Sequence, residues 1–124
     1  MTNENNIRVV YKAPGAAAEV REVPNTLAAF QEAVGGYIET VTLEDAVVIC
    51  NEDGRWMRLA HNCKLCGVEF VGPILIVGVE DCEFASLSGD AAEYWMEVLK
   101  MRLINPYASL LGLVLLAALV VAYG

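Results

Sequence analysis

Two hydrophobic periods alternate along the chain as far as Arg102, and beyond Arg102 polarity all but disappears. Ile7, Val9 and Tyr11 alternate with Arg8, Val10 and Lys12, the period-two pattern of a strand with one face buried. Ala13-Pro14-Gly15 predicts a turn, and Glu19 to Val23 alternates well enough to return as the second arm of a hairpin ended by Pro24. Asn25 or Thr26 then caps a short helix, TLAAFQEAV, whose Leu27, Phe30 and Val34 share one face. Gly35-Gly36 supplies its stop. Tyr37 to Thr42 predicts a strand, Leu43-Glu44-Asp45 a turn, and the unbroken apolar run Ala46 to Cys50 a central strand covered on both faces. Asp53-Gly54 has the composition of a tight hairpin turn, which would send Arg55 to Leu59 back antiparallel. Ala60 to Gly67 reads as a loop. Val68 to Val71 and Ile74 to Val79 form a last strand region, broken or bulged at Gly72-Pro73 because proline cannot donate within a ladder. A helix then begins near Ser88-Gly89-Asp90, where Asp90 and Glu93 resemble a capping box, and carries Trp95, Val98, Leu99 and Arg102 at helical spacing. The pattern predicts an α+β domain, a mostly antiparallel five- to six-stranded sheet with two helices, over residues 1–102.

Residues 103–124 are the hydrophobic remainder. Tyr107 to Tyr123 reads YASLLGLVLLAALVVAY, without one charge. A hydrocarbon core of roughly 30 Å takes about 20 apolar residues, so this is a short but sufficient transmembrane helix. The two tyrosines would lie ~24 Å apart along a helix axis, near the two aromatic belts. Between them Leu110, Leu111, Leu113, Val114, Leu115, Leu116, Leu119, Val120 and Val121 each favour insertion. Asn105 as cap and Pro106 in the first turn mark its start. Lys100 and Arg102 just before it predict an N-terminal domain in the cytoplasm and a single-pass C-terminal tail anchor in the bacterial inner membrane. A helix packed inside an oligomer is the alternative, since a helix apolar all round must be surrounded by something.

The formal net charge of −8 belongs wholly to the domain preceding this segment. Such a surface does not release counterions from a phosphate backbone, so nucleic acid is excluded as a partner and a basic protein is not. The opening MTNENN is polar, with no apolar leader following it. The four cysteines are therefore expected to be reduced.

Candidate chemistry is sparse. Cys63 and Cys66 form a C-x-x-C pair, to which His61 and Cys82 could add corners of a tetrahedral zinc site, although a single pair is a weak signal and no cofactor is otherwise implied. Cys50, in a buried-looking strand, reads as a small hydrophobe. His61 lacks a recognisable nucleophile or orienting carboxylate. Glu80, Asp81 and Glu83 lack calcium-loop spacing and read as a solvated turn. Gly72 and Pro73, with Arg55 and Arg58, mark a candidate binding surface, since a bulge re-aims side chains and frees sheet groups. Trp56 and Trp95 read as core. Absent a nucleophile elbow, phosphate loop or paired histidines, the chain reads as a binding protein and not an enzyme.

PNTLAAFQEAVGGYIETVTLEDAVVICNEDG, followed by VGPILIVG, resembles the domain-of-unknown-function family numbered 3846, small proteins of bacteriophages, plasmids and their bacterial hosts. The resemblance spans Ile7 to Asp90 and rests on Pro24, Asn25, Gly35, Gly36, Tyr37, Gly72 and Pro73. It implies a compact α+β domain in a mobile-element setting and brings no activity. The Cys63/Cys66 loop and the hydrophobic tail depart from the family pattern. The expected function is a membrane-anchored accessory protein that binds a host or element-encoded protein. Two alternatives stay open. One is an anti-defence domain that inhibits a host protein or sequesters a nucleotide signal through Arg8, Lys12, Arg55 and Arg58. The other is a single-span membrane-perturbing protein.

Overall fold

The computed structural model describes residues 5–107. Strand β1 (Asn6–Lys12) pairs antiparallel with β2 (Glu19–Pro24), Ile7 opposite Val23 and Tyr11 opposite Glu19, the hairpin expected, but Val10 and Lys12, on the face expected to be open, are buried as well because both faces of the sheet are covered. Helix α1 (Leu27–Val34) is capped by the Thr26 hydroxyl, which accepts from the Ala29 N–H at 3.1 Å, and closed by Gly35 in the left-handed region. Strands β3 (Ile38–Leu43) and β4 (Ala46–Asn51) form a tight hairpin. Strands β5 (His61–Leu65) and β6 (Val68–Val71) form a second, and β7 (Ile74–Glu80) pairs with the short β8 (Glu83–Ala85). Helix α2 spans Gly89–Tyr107.

The main sheet runs β2-β1-β7-β4-β3 with β8 added against β7, six strands, and every described pairing is antiparallel. All six residues of β4 are buried, as are the first five of β7. Strands buried on both faces need two covers. On one face Phe30 and Val34 of α1 pack on Val9, Val47, Ile49, Leu75 and Val77. On the other, α2 and the β5–β6 hairpin bring Trp95, Leu99, Leu65 and Phe70 onto Val10, Val48, Ile74 and Ile76. The hairpin is an insertion between β4 and β7, which are themselves neighbours, and it lies over the sheet instead of within it.

Five further expectations change. Arg55 to Leu59 is not a strand: residues 52–58 coil through turns, because β4 already pairs with β3 and β7 and offers no free edge. The polar stretch read as a loop holds β5, and its turn places Cys66 and Gly67 at φ 50° and 82°, the two positive angles of a tight hairpin. The helix-capping group is Ser88, whose hydroxyl accepts from the Ala91 N–H at 3.0 Å, in place of the Asp90–Glu93 box. Trp56 is 87% exposed and outside the core, whereas Trp95 is fully inside it. Finally, α2 runs across Asn105 and Pro106, where a new helix was expected to begin; proline removes one donor there without ending the helix before Tyr107.

The rest of the predicted span lies outside the described residues. Among those described, no helix is long and apolar enough to cross a membrane.

The two tryptophans should separate cleanly in equilibrium urea unfolding. Trp95→Ala is expected to cost about 3–5 kcal/mol through the cavity it leaves between α2 and the sheet. Trp56→Ala should stay within roughly 0.5 kcal/mol of the parent chain.

Candidate functional site

The residues proposed as metal ligands do not converge. Cys63 is buried on β5 and Cys66 is exposed in the turn three positions on. Cys82 lies in the β7–β8 turn, where it and Asp81 take φ 67° and 55°. His61 is exposed, and its Nδ1 sits 2.9 Å from Glu69 Oε2 on the adjoining strand. Among the described residues no group of three or more His, Cys, Asp or Glu side chains could hold a metal ion. Sequence reading missed Glu69 as a partner for His61 because the contact crosses the hairpin, whose pairing was not predicted. Both side chains are more than half exposed, and such a pair contributes about 0–1 kcal/mol.

The four candidate cations fall on different parts of the fold, Arg8 and Lys12 on β1 and Arg55 and Arg58 together in the turn after β4, where the Arg58 N–H bonds the Arg55 carbonyl at 3.1 Å. Arg8 Nη1 donates to the Leu87 carbonyl at 2.9 Å, and Arg55 Nη2 to the Glu69 carbonyl at 2.7 Å. Arg58 is exposed with φ 59°. Lys12 is 2% exposed. Its Nζ donates to Asn62 Oδ1 at 2.9 Å, while Asn62 Nδ2 donates to the carbonyls of Lys12 at 2.9 Å and Gly72 at 2.7 Å. A register shift between His61 and Cys63 makes Asn62 the extra residue of a bulge, and the bulge turns its amide inward onto Lys12. Because these acceptors are all neutral, burial lowers the Lys12 pKa from the usual 10.5, with an opposing pull from Cys63. Burial, reinforced by Glu39 and opposed by Arg55, pushes the Cys50 thiol up to about 11. Cys50 borders a small cleft beside Glu39 and Arg55, but a raised pKa keeps it a thiol instead of the thiolate that reacts.

Gly72 and Pro73 form a corner and not a bulge within one strand. Gly72, at φ 74° and buried, leaves β6 and hands the chain to β7 in the other sheet. Its N–H bonds the Ala60 carbonyl at 2.7 Å and its C=O takes the Asn62 amide, so both groups are engaged. A Cβ here would lie 2.6 Å from Leu59 Cδ1.

The most exposed large apolar side chain among the described residues, Trp56, stands on the turn that follows β4, with Met57 beside it. Asn51 is buried and shapes this turn from below: its Nδ2 holds the Val34 carbonyl at 3.0 Å and its Oδ1 accepts from the Asp53 N–H at 2.7 Å. Backbone bonds from Met57 N–H to Asp53 O (2.7 Å) and from Leu59 N–H to Gly54 O (2.9 Å) close it. Trp56 and Met57 are exposed on this hydrogen-bonded loop, and Tyr37, also exposed, is tied to its base by the Glu52 N–H bond to Tyr37 O at 2.8 Å.

Two clefts flank β3. One, of about 380 Å³, lies on the α1 side between Thr40, Thr42, Val47, Val79 and Phe84. The other, of about 160 Å³, lies on the opposite face between Val41, Phe70 and Val71.

The model of the family described as Domain of unknown function (DUF3846) matches residues 7–100, from the second residue of β1 through the sheet, α1, this loop and the β5–β6 hairpin to Lys100 within α2. The chain belongs to the DUF3846 family. No curated protein and no solved structure matches it. For DUF3846 the expected α+β domain with a mostly antiparallel sheet and two helices is therefore present, and the family carries no assigned chemistry to lay over it.

The buried lysine gives this DUF3846 chain a pH signature. With its folded pKa depressed, the unfolded state binds more protons in the interval below 10.5, so the Lys12 contribution to stability rises as pH climbs through that interval. Urea midpoints across the alkaline range should climb for the parent chain relative to Lys12→Met. The comparison cancels Cys50, which is common to both chains and acts with the opposite sign above its ordinary 9.0. Parallel curves would remove the lysine from the account.

Proposed function

We propose that this DUF3846 protein is a non-catalytic protein-binding module of a mobile genetic element, held at the cytoplasmic face of the bacterial inner membrane by residues 103–124. The observation that carries the binding reading is Trp56: a tryptophan 87% exposed on a loop whose backbone is fixed by its own hydrogen bonds. Tryptophan is the side chain most enriched at the energetic centre of protein interfaces. Holding it in place beforehand removes much of the ordering cost of association. Met57 and Tyr37 extend the same surface with an adaptable thioether and a second amphipathic ring. The anchoring reading is supported by the uncharged run from Tyr107 to Tyr123 and by Lys100 and Arg102 before it.

The two halves of the reading have separate tests. The intact chain is expected in the membrane fraction, resistant to alkaline wash, and Leu115→Arg, which adds roughly 3 kcal/mol to insertion at a span centre, should shift it to the supernatant. Recovery of the unaltered chain as a soluble monomer would overturn the anchor. A photoreactive phenylalanine analogue placed at position 56 should give one discrete protein adduct in cells. Adducts to lipid alone, or none, would overturn the binding surface.

A further inference from the structure

We infer that the outer edge of β3 is a docking site for an extended, basic segment of another protein, which adds to the sheet as its next strand. This deepens the binding-module reading and rests on it, while needing neither Trp56 nor the anchor.

Among the described residues, β3 ends the sheet: it pairs with β4 alone, from Ile38 opposite Asn51 to Leu43 opposite Ala46. In an antiparallel ladder alternate residues turn their N–H and C=O away from the paired neighbour, so β3 offers a row of donors and acceptors to its outer side. Natural edges are usually blunted by proline, lysine or a bulge. The opposite edge, β2, is: it carries Glu19, Arg21 and Glu22, ends at Pro24, and holds Arg21 3.9 Å over the Tyr11 ring. Strand β3, IETVTL, has no proline, no cation and an unbroken register.

Side chains of an added strand alternate between the two faces of the sheet. The two clefts beside β3 lie on those two faces, with Thr40 and Thr42 lining one and Glu39 and Val41 the other. Both clefts open from β3 inward over β4, so successive side chains of a peptide lying along β3 would lean inward across Thr40 and Thr42 on one face and across Glu39 and Val41 on the other to reach them, the alternation by which strand addition gains specificity.

The chemistry of the occupant follows from the rims. Glu44, Asp45 and Glu83 border the larger cleft, and Glu39, Glu52 and Glu69 the smaller. The single cation there, Arg55, is bonded to the Glu69 carbonyl. Six carboxylates against one cation select lysine or arginine on the incoming strand and oppose a second copy of this edge, which would set like charge against like.

The test uses the full-length chain in neutral detergent and a short peptide alternating lysine and valine. Amide chemical-shift changes should concentrate on β3, and binding should weaken with salt. Methylating alternate peptide nitrogens removes the donors and should weaken binding roughly tenfold without any change to the protein. Glu39→Lys combined with Glu83→Lys, one exposed change in each cleft, should weaken the lysine peptide to a similar degree and favour its glutamate counterpart. Absence of binding, indifference to nitrogen methylation, shifts confined to β2 or α2, or self-pairing through β3 would each overturn the inference. If the peptide fails while position 56 still gives a protein adduct, the binding-module reading survives without this site.

Discussion

The constraint on which the structure depends is that its two innermost strands are apolar on both sides. Neither β4 nor most of β7 has a polar face to turn toward water, so the sheet is stable only between two covers. Helix α1 supplies one with two buried side chains, Phe30 and Val34. The other needs a helix and a hairpin together, and their placement dictates the rest. Because the hairpin is inserted between strands that neighbour each other, the chain must leave the sheet after β4 and re-enter at β7. The Trp56 loop makes the departure and Gly72 the return.

The buried polar pair follows from the same requirement. A hairpin laid over the face of a sheet must be fastened to it, and the Lys12–Asn62 contact joins β1, the bulge in β5 and the Gly72 corner through side chain and backbone at once. Among the described residues no buried side-chain nitrogen or oxygen lacks a hydrogen-bond partner. A satisfied polar node of this kind fixes register more than it adds stability, because displacing the hairpin by one residue would strand several buried groups.

Local pattern made most of the sheet legible. The alternation of β1 and β2, the apolar runs of β4 and β7, and the Thr26 and Gly35 ends of α1 are all properties of contiguous residues. What escaped is non-local or too short for a period. Strand β5 reads as polar because His61 and Lys64 face water and Asn62 is buried only through a lysine fifty residues away in sequence. Strand β8 has three residues, too few to show alternation. Asp53-Gly54 has hairpin composition, yet composition does not know whether the preceding strand has an edge left to pair. Trp56 was placed inside because large aromatics usually are, and only the course of the loop puts it outside. The candidate surfaces are thus legible in residue type and illegible in position: the candidate ligand cysteines divide between a buried site on β5 and two turns, Gly72 is enclosed at a corner, and of the arginines only Arg55 and Arg58 lie together.

The two margins of the sheet are chemically unequal, one carrying charges of both signs and tipped by proline, the other acidic and free of proline, lysine and arginine along its strand. Runaway β-assembly requires a sheet that can accept a neighbour on both flanks, since each newcomer must in turn expose a fresh template. A unit with one receptive flank is a terminator. However crowded its surroundings, it can take up a single strand and then has nothing further to offer, which lets a receptive edge exist in this fold without seeding a fibre.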